Sequence, residues 1–138
     1  VMEKAAEMFD RFGIEYEIRV LSAHKTPDQA IEFAANAAAD GFGVIIAGAG
    51  KAAHLAGVMA AKSLLPVIGV PIAASLDGLD ALLSTVQMPT GIPVATVAID
   101  AAANAALLAV AILAIGDAEL TSALAEYRRE LAEKTLAS

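Results

Sequence analysis

Short apolar runs alternate along this chain with stretches whose apolar residues recur at helical spacing. Val44-Ile45-Ile46-Ala47, Val67-Ile68-Gly69-Val70 and Val94-Ala95-Thr96-Val97-Ala98-Ile99 are almost continuously apolar, and Tyr16-Glu17-Ile18-Arg19-Val20-Leu21 reads as a further strand. Continuous apolar runs of this length predict parallel strands covered on both faces. Between them Thr26-Pro27-Asp28-Gln29 has the form of a capping box with proline at the first helical position, and Gly41 stands where that helix should stop. Gly116-Asp117 ends one helix and caps the next. In that last helix Leu120, Leu124, Tyr127 and Leu131 form one stripe, while Glu126, Arg128, Arg129, Glu130 and Glu133 face water. Strand and helix in alternation, with short connections, predict one α/β domain with a parallel sheet.

The chain opens inside a helix, because Met2, Ala5, Ala6, Phe9 and Phe12 are spaced for an amphipathic one. A doubly wound domain places a strand before its first helix, so the expectation is that residues 1–138 lack an N-terminal strand and its loop, about 15–25 residues in all. The Ala101–Ile115 segment is apolar nearly all round. A small domain has difficulty burying every side of such a helix, which predicts a homo-oligomer packed through it.

Composition narrows the function classes. The chain has 138 residues, room for one domain, and is 58% hydrophobic and 18% charged, too apolar for disorder. Nine basic against sixteen acidic residues give a net charge of -7, which argues against non-specific nucleic-acid binding. A local site for a small anion is compatible with that balance. With no cysteine there is no disulfide framework, thiolate metal site or cysteine nucleophile, and a cytoplasmic location is expected. Mean hydropathy is +0.66. The longest apolar run, Ala105–Ile115, still falls short of the ~20 residues that span a bilayer, so no membrane partner is expected.

Candidate chemistry lies in three loops. Gly48-Ala49-Gly50-Lys51-Ala52-Ala53 has the spacing of a dinucleotide fingerprint variant, expected as a turn that opens a helix. The acid that should end the next strand is missing, since Val70-Pro71-Ile72-Ala73 has none before Asp77. A close-approach turn for an anion or carboxylate is the better reading. His24 and His54 both lie just beyond strand ends, where ligands bind in open α/β sheets. A single histidine there is more readily a packing or capping residue. Two in corresponding loops, with Ser22 and Lys25 beside one of them, point to proton transfer near neutrality. Neither a third histidine nor a helical His-x-x-x-His pair is available for zinc, and no nucleophile elbow surrounds Ser22. The third loop, Ser84 to Pro93, is stiffened by prolines and reads equally as a pocket wall or a connector.

These loops resemble the family of 5-(carboxyamino)imidazole ribonucleotide mutases of purine biosynthesis. The resemblance is carried by Ser22-Ala23-His24-Lys25-Thr26-Pro27-Asp28, by Ala47 to Gly57, by Asp77 to Pro89, and by Pro93-Val94-Ala95-Thr96-Val97 with Asn104 to Ala109. It implies a flavodoxin-like three-layer α/β sandwich assembled as a homo-octamer, with sites at subunit junctions and no metal or organic cofactor. It implies that a carboxylate moves from the exocyclic nitrogen of a phosphorylated aminoimidazole ribonucleotide to a ring carbon, by decarboxylation and recarboxylation. His24 takes the place of the family's proton-shuttling histidine. Ser22, Lys25, Gly50, Lys51, Ala52, His54 and Leu55 fall at substrate-binding positions.

Three departures qualify the match. The family's first strand, ending in a Gly-Ser-x-Ser-Asp loop that holds phosphate and ribose, has no counterpart in residues 1–138. Lys25 replaces an arginine, losing a planar fork but keeping the charge. Lysine there is common in the sister group that carboxylates aminoimidazole ribonucleotide directly with carbon dioxide. Ala56 stands where proline is usual. The Gly50–Leu55 loop and Gln87-Met88-Pro89 lean towards the mutase group. A non-catalytic assembly subunit is the remaining alternative.

Overall fold

The computed structural model describes residues 1–138. Three parallel strands lie side by side in chain order: β1 (Ile45–Gly50), β2 (Val67–Ile72) and β3 (Ala95–Thr96). Ile45 pairs with Val67 through to Gly50 with Ile72, and Ile68 pairs with Ala95. Helices α2 (Pro27–Asn36), α3 (Leu55–Lys62) and α4 (Leu79–Val86) cover one face of the sheet. On the other lie α1 (Glu3–Phe12) and α5 (Ala102–Ala114), with α6 (Ala118–Ala137) outside α5.

The pleat decides which side chain meets which layer. Ile45, Ala47 and Val67 point to α2 and α3, whereas Ile68 and Val70 point to α1 and α5. Alanine dominates both cores: Ala30, Ala34 and Ala56 on one side, Ala102, Ala105, Ala106 and Ala109 on the other. Small residues let the helices lie close to the sheet. Gly69 carries this furthest, because a Cβ there would meet Thr85, Val94 and Ala56 together. Asp117 caps α6 as expected, accepting from Leu120 N at 3.0 Å. Of the α6 stripe, Leu120 is buried and Leu124 and Tyr127 are half-buried, but Leu131 is exposed. Tyr127 packs on Phe12 of α1, with the Arg11 guanidinium 4.8 Å from its ring centre.

Several expectations require correction. Tyr16–Leu21 forms no strand, and no backbone–backbone hydrogen bond reaches Glu15–Leu21. A strand exists only through a partner, and the free edge of β1 is separated from this segment by a slot of about 730 Å³. Phe9 and Ala109 line the slot from one helical layer, and Phe33 and Met59 from the other. The opening therefore lies in the plane of the sheet, and Val20 beside it is 96% exposed. At the opposite edge the Val94–Ile99 run contributes only Ala95–Thr96 as strand. Beyond it two single bonds to β2 remain, Val97 N to Gly69 O and Asp100 N to Pro71 O. The Gly-rich segment is not a turn, because β1 continues through Gly50 and the chain bends only at Lys51, φ +55°.

One further expectation changes, and one gains detail. Thr26 does not cap α2; its Oγ1 accepts from Ser22 N at 2.8 Å and donates to Ser22 O at 3.1 Å. Its hydroxyl is consumed in closing the preceding loop. The α5 helix is apolar all round, as read from the sequence, but α1 and α6 of the same chain cover most of it. Leu108 and Ile115 are the large apolar side chains left exposed there. The more continuous exposed apolar surface is on α4, where Leu79, Leu83 and Val86 share a face. No helix is long and apolar enough to cross a membrane.

Candidate active site at the carboxyl ends of the strands

The loop from Ser22 to Thr26 is built around hydroxyls. Ser22 Oγ accepts from the backbone N–H of His24 at 3.3 Å and of Lys25 at 3.1 Å, while Thr26 closes the loop onto the Ser22 backbone. Serine and threonine suit this, because short side chains reach backbone groups two to four residues away. Ser22 is thus a shaper of the loop, and the loop presents His24 and Lys25 at the surface.

The second loop runs from the end of β1 to α3. Gly50 is the last strand residue, Lys51 and Ala52 are exposed, and Ala53 is buried. His54 sits at the N-cap of α3, and its side chain makes no cap bond. It reaches across to the first loop instead. His24 Nε2 and His54 Nδ1 lie 2.8 Å apart, with the rings nearly perpendicular at 86°. Residues 30 positions apart in sequence thereby form one two-ring unit.

Most of the expected site residues converge here. Ser22, His24, Lys25 and His54 belong to the paired loops, and Gly50, Lys51 and Ala52 lead directly into His54. Leu55 does not join them, because as the first residue of α3 it packs against the α2–α3 core and lines the slot beside β1. From the third loop, Gln87 and Met88 share a shallow groove of about 450 Å³ with His54, Gly57 and Ser84. That groove supports the pocket-wall reading of the loop. No three His, Asp or Glu side chains converge in a group that could hold a metal ion.

Backbone strain marks the same edge of the sheet. All four non-glycine residues with positive φ follow strand ends: Lys51 after β1, Leu76 and Asp77 after β2, and Asp100 after β3. Such conformations cost about 1–3 kcal/mol each and gather at functional sites. Asp100, missed from the sequence, accepts at Oδ1 from Ala73 N at 2.9 Å and so ties the ends of β2 and β3 together. Its signal was a carboxylate directly after the apolar run Val94–Ile99. Ser75, in the segment after β2, donates to Asp80 in the first turn of α4 at 2.5 Å.

The chain is similar to known proteins over nearly its whole length. The chain is 56% identical over 135 residues to the N5-carboxyaminoimidazole ribonucleotide mutase of Pyrococcus horikoshii, covering 97% of this chain and 76% of that protein. It is 52% identical over 137 residues to the chloroplastic phosphoribosylaminoimidazole carboxylase of Vigna aconitifolia, covering 99% of this chain and 25% of that one. The crystal structure of PurE from Treponema denticola superposes with a TM-score of 0.86 at 32% identity, over 98% of this chain and 85% of that one. The family model for AIR carboxylase matches residues 1–134, and the chain belongs to that family.

Proposed function

We propose that this protein is a mutase of purine biosynthesis, moving the carboxylate of 5-(carboxyamino)imidazole ribonucleotide from the exocyclic nitrogen to a ring carbon. The observation that carries the reading is the His24–His54 pair, held at 2.8 Å by loops at the carboxyl edge of the sheet. The chemistry needs a proton carrier and no nucleophile. The carboxylate leaves as carbon dioxide while the exocyclic nitrogen gains a proton from His24. The ring carbon then attacks the carbon dioxide and surrenders its own proton to His24, so one proton passes from carbon to nitrogen overall. Lys25 and Lys51, both exposed on the paired loops, supply positive charge for the substrate phosphate. Met88 beside Gly57 provides apolar wall that keeps water from the released carbon dioxide. Replacing His24 by Gln keeps a polar group where Nε2 was but cannot shuttle the proton. Turnover should fall ~100-fold or more with assembly intact, and near-normal turnover would overturn the reading.

A second reading, direct carboxylation of aminoimidazole ribonucleotide with carbon dioxide, is favoured by Lys25 in place of arginine. The mutase reading is preferred because pocket-wall loops decide which carbon source enters, whereas Lys25 preserves the phosphate's charge partner.

The slot beside β1 supports a further part of the proposal: one strand of the full-length protein lies in it, between β1 and Glu15–Leu21, and its loop completes the phosphate grip. Helices cover both faces of an opening that has unpaired backbone on each side. Hydrogen exchange on the full-length protein tests this. Amides within Glu15–Leu21 should be protected, and exchange at loop rates would overturn it. The assembly is proposed as a cytoplasmic homo-octamer.

A further inference from the structure

Two imidazoles meeting nitrogen to nitrogen can bond in only one way at a time. A hydrogen bond across the 2.8 Å between His24 Nε2 and His54 Nδ1 needs one proton on that axis, so one ring donates and the other accepts. With two protons the N–H groups oppose each other; with none, two lone pairs do. Both histidines are exposed, and neither ring has another hydrogen-bond partner in the chain. The contact therefore sets both the tautomer and the orientation of His24.

We infer that His54 is a positioning residue for proton transfer by His24, accepting at its Nδ1 from His24 Nε2–H and leaving His24 Nδ1 to exchange the proton with substrate. This rests on His24 being the shuttle. The direction follows from what a shuttle must do. As an acid, His24 carries protons on both nitrogens, and Nε2 can then only donate. If His54 donated instead, the contact would break each time His24 took up a proton. With His54 accepting, the bond survives both states. The Nδ1 proton goes to the exocyclic nitrogen as the carboxylate departs, and the ring carbon's proton returns to Nδ1. His24 keeps Nε2–H throughout, and His54 stays neutral with its proton on Nε2.

The two side chains suggest their own test. Asparagine at position 54 places an acceptor oxygen where Nδ1 stands, whereas leucine has similar size and no acceptor. Nitrogen-15 spectra of histidine-labelled full-length protein, without substrate and at a pH where both rings are neutral, report each tautomer. The expected result is both histidines protonated on Nε2, with His54 Nδ1 bare. His54→Leu should release His24 to sample both tautomers and lower kcat about ten- to hundred-fold with little change in KM, on the scale of other orienting partners. His54→Asn should keep the His24 tautomer and most of kcat. A resting protein in which His54 Nδ1 is protonated, or a His54→Leu protein with wild-type kcat, overturns the inference. Because the spectra need no substrate, wild-type protein with the expected tautomers but no turnover would count against the assigned reaction and not against the pair.

Discussion

Asp100 Oδ1 accepts from the backbone N–H of Ala73 at 2.9 Å, while Asp100 N donates to Pro71 O at 2.8 Å. One residue thus fastens the end of β3 to the end of β2 from both its side chain and its backbone. It does so at φ +61°, a conformation that glycine adopts freely and alanine does not. Asp100→Ala loses the carboxylate and keeps the strain, whereas Asp100→Gly loses the carboxylate and relieves it. Urea unfolding should therefore show Asp100→Ala less stable than Asp100→Gly by about 1 kcal/mol. Equal stability would mean that the observed φ costs nothing.

Gly69 lies where α3 and α4 pack against the sheet. An added Cβ meets the Thr85 methyl, with Val94 Cγ1 at 3.1 Å and Ala56 Cβ at 3.3 Å. Thr85 is buried and held in its rotamer by donating to Ala81 O at 2.7 Å. Gly69→Ala should destabilise by about 1–3 kcal/mol through overpacking. Adding Thr85→Ser removes the clashing methyl, keeps the hydroxyl, and should recover part of the loss in the same unfolding assay. A double variant no better than the single one would contradict this packing.

On α6, Arg129 donates to Glu126 and Glu133. The hydrogen bonds from Arg129 hold the Glu126 carboxyl below the usual carboxylate range. A carboxyl lowered on folding contributes stability above its unfolded pKa and loses it as pH falls through the folded value. Arg129→Gln should return Glu126 to the ordinary range in an NMR titration. The small stability difference between the two proteins should be present above the ordinary carboxylate range and be lost as pH falls through the lowered Glu126 value. A Glu126 titration unmoved by the substitution would show the pair absent in solution.

Assembly is testable on α4. Leu79, Leu83 and Val86 are each about half exposed along one face, with Leu76 more exposed beside them. A surface of this kind is covered when copies pack together. Light scattering of the full-length protein should give a mass near eight chains, and Leu83→Lys should reduce it. A monomer at micromolar concentration would contradict the assembly.

The layers were legible because β1, β2 and the helices carry local signals: continuous apolar runs, the Asp117 cap, the Met2–Phe12 stripe. The Tyr16–Leu21 segment misled because a strand is a property of a pair, and its partner edge lies across the slot. Thr26 misled for a related reason, since one hydroxyl had two local uses and the Ser22 loop took it. His24 and His54 were recognisable as candidates from loop position alone. Their contact was not, because nothing local fixes the angle at which two loops meet. Asp100 escaped notice because positive φ at a non-glycine residue leaves no mark in composition.

A mutase and a direct carboxylase differ in their carbon source. Full-length protein given purified 5-(carboxyamino)imidazole ribonucleotide, without bicarbonate, should form 5-amino-4-imidazolecarboxylate ribonucleotide and release little free carbon dioxide. Product formed only from aminoimidazole ribonucleotide plus carbon dioxide, with the carboxyamino compound left untouched, would contradict it and make Lys25 the better guide.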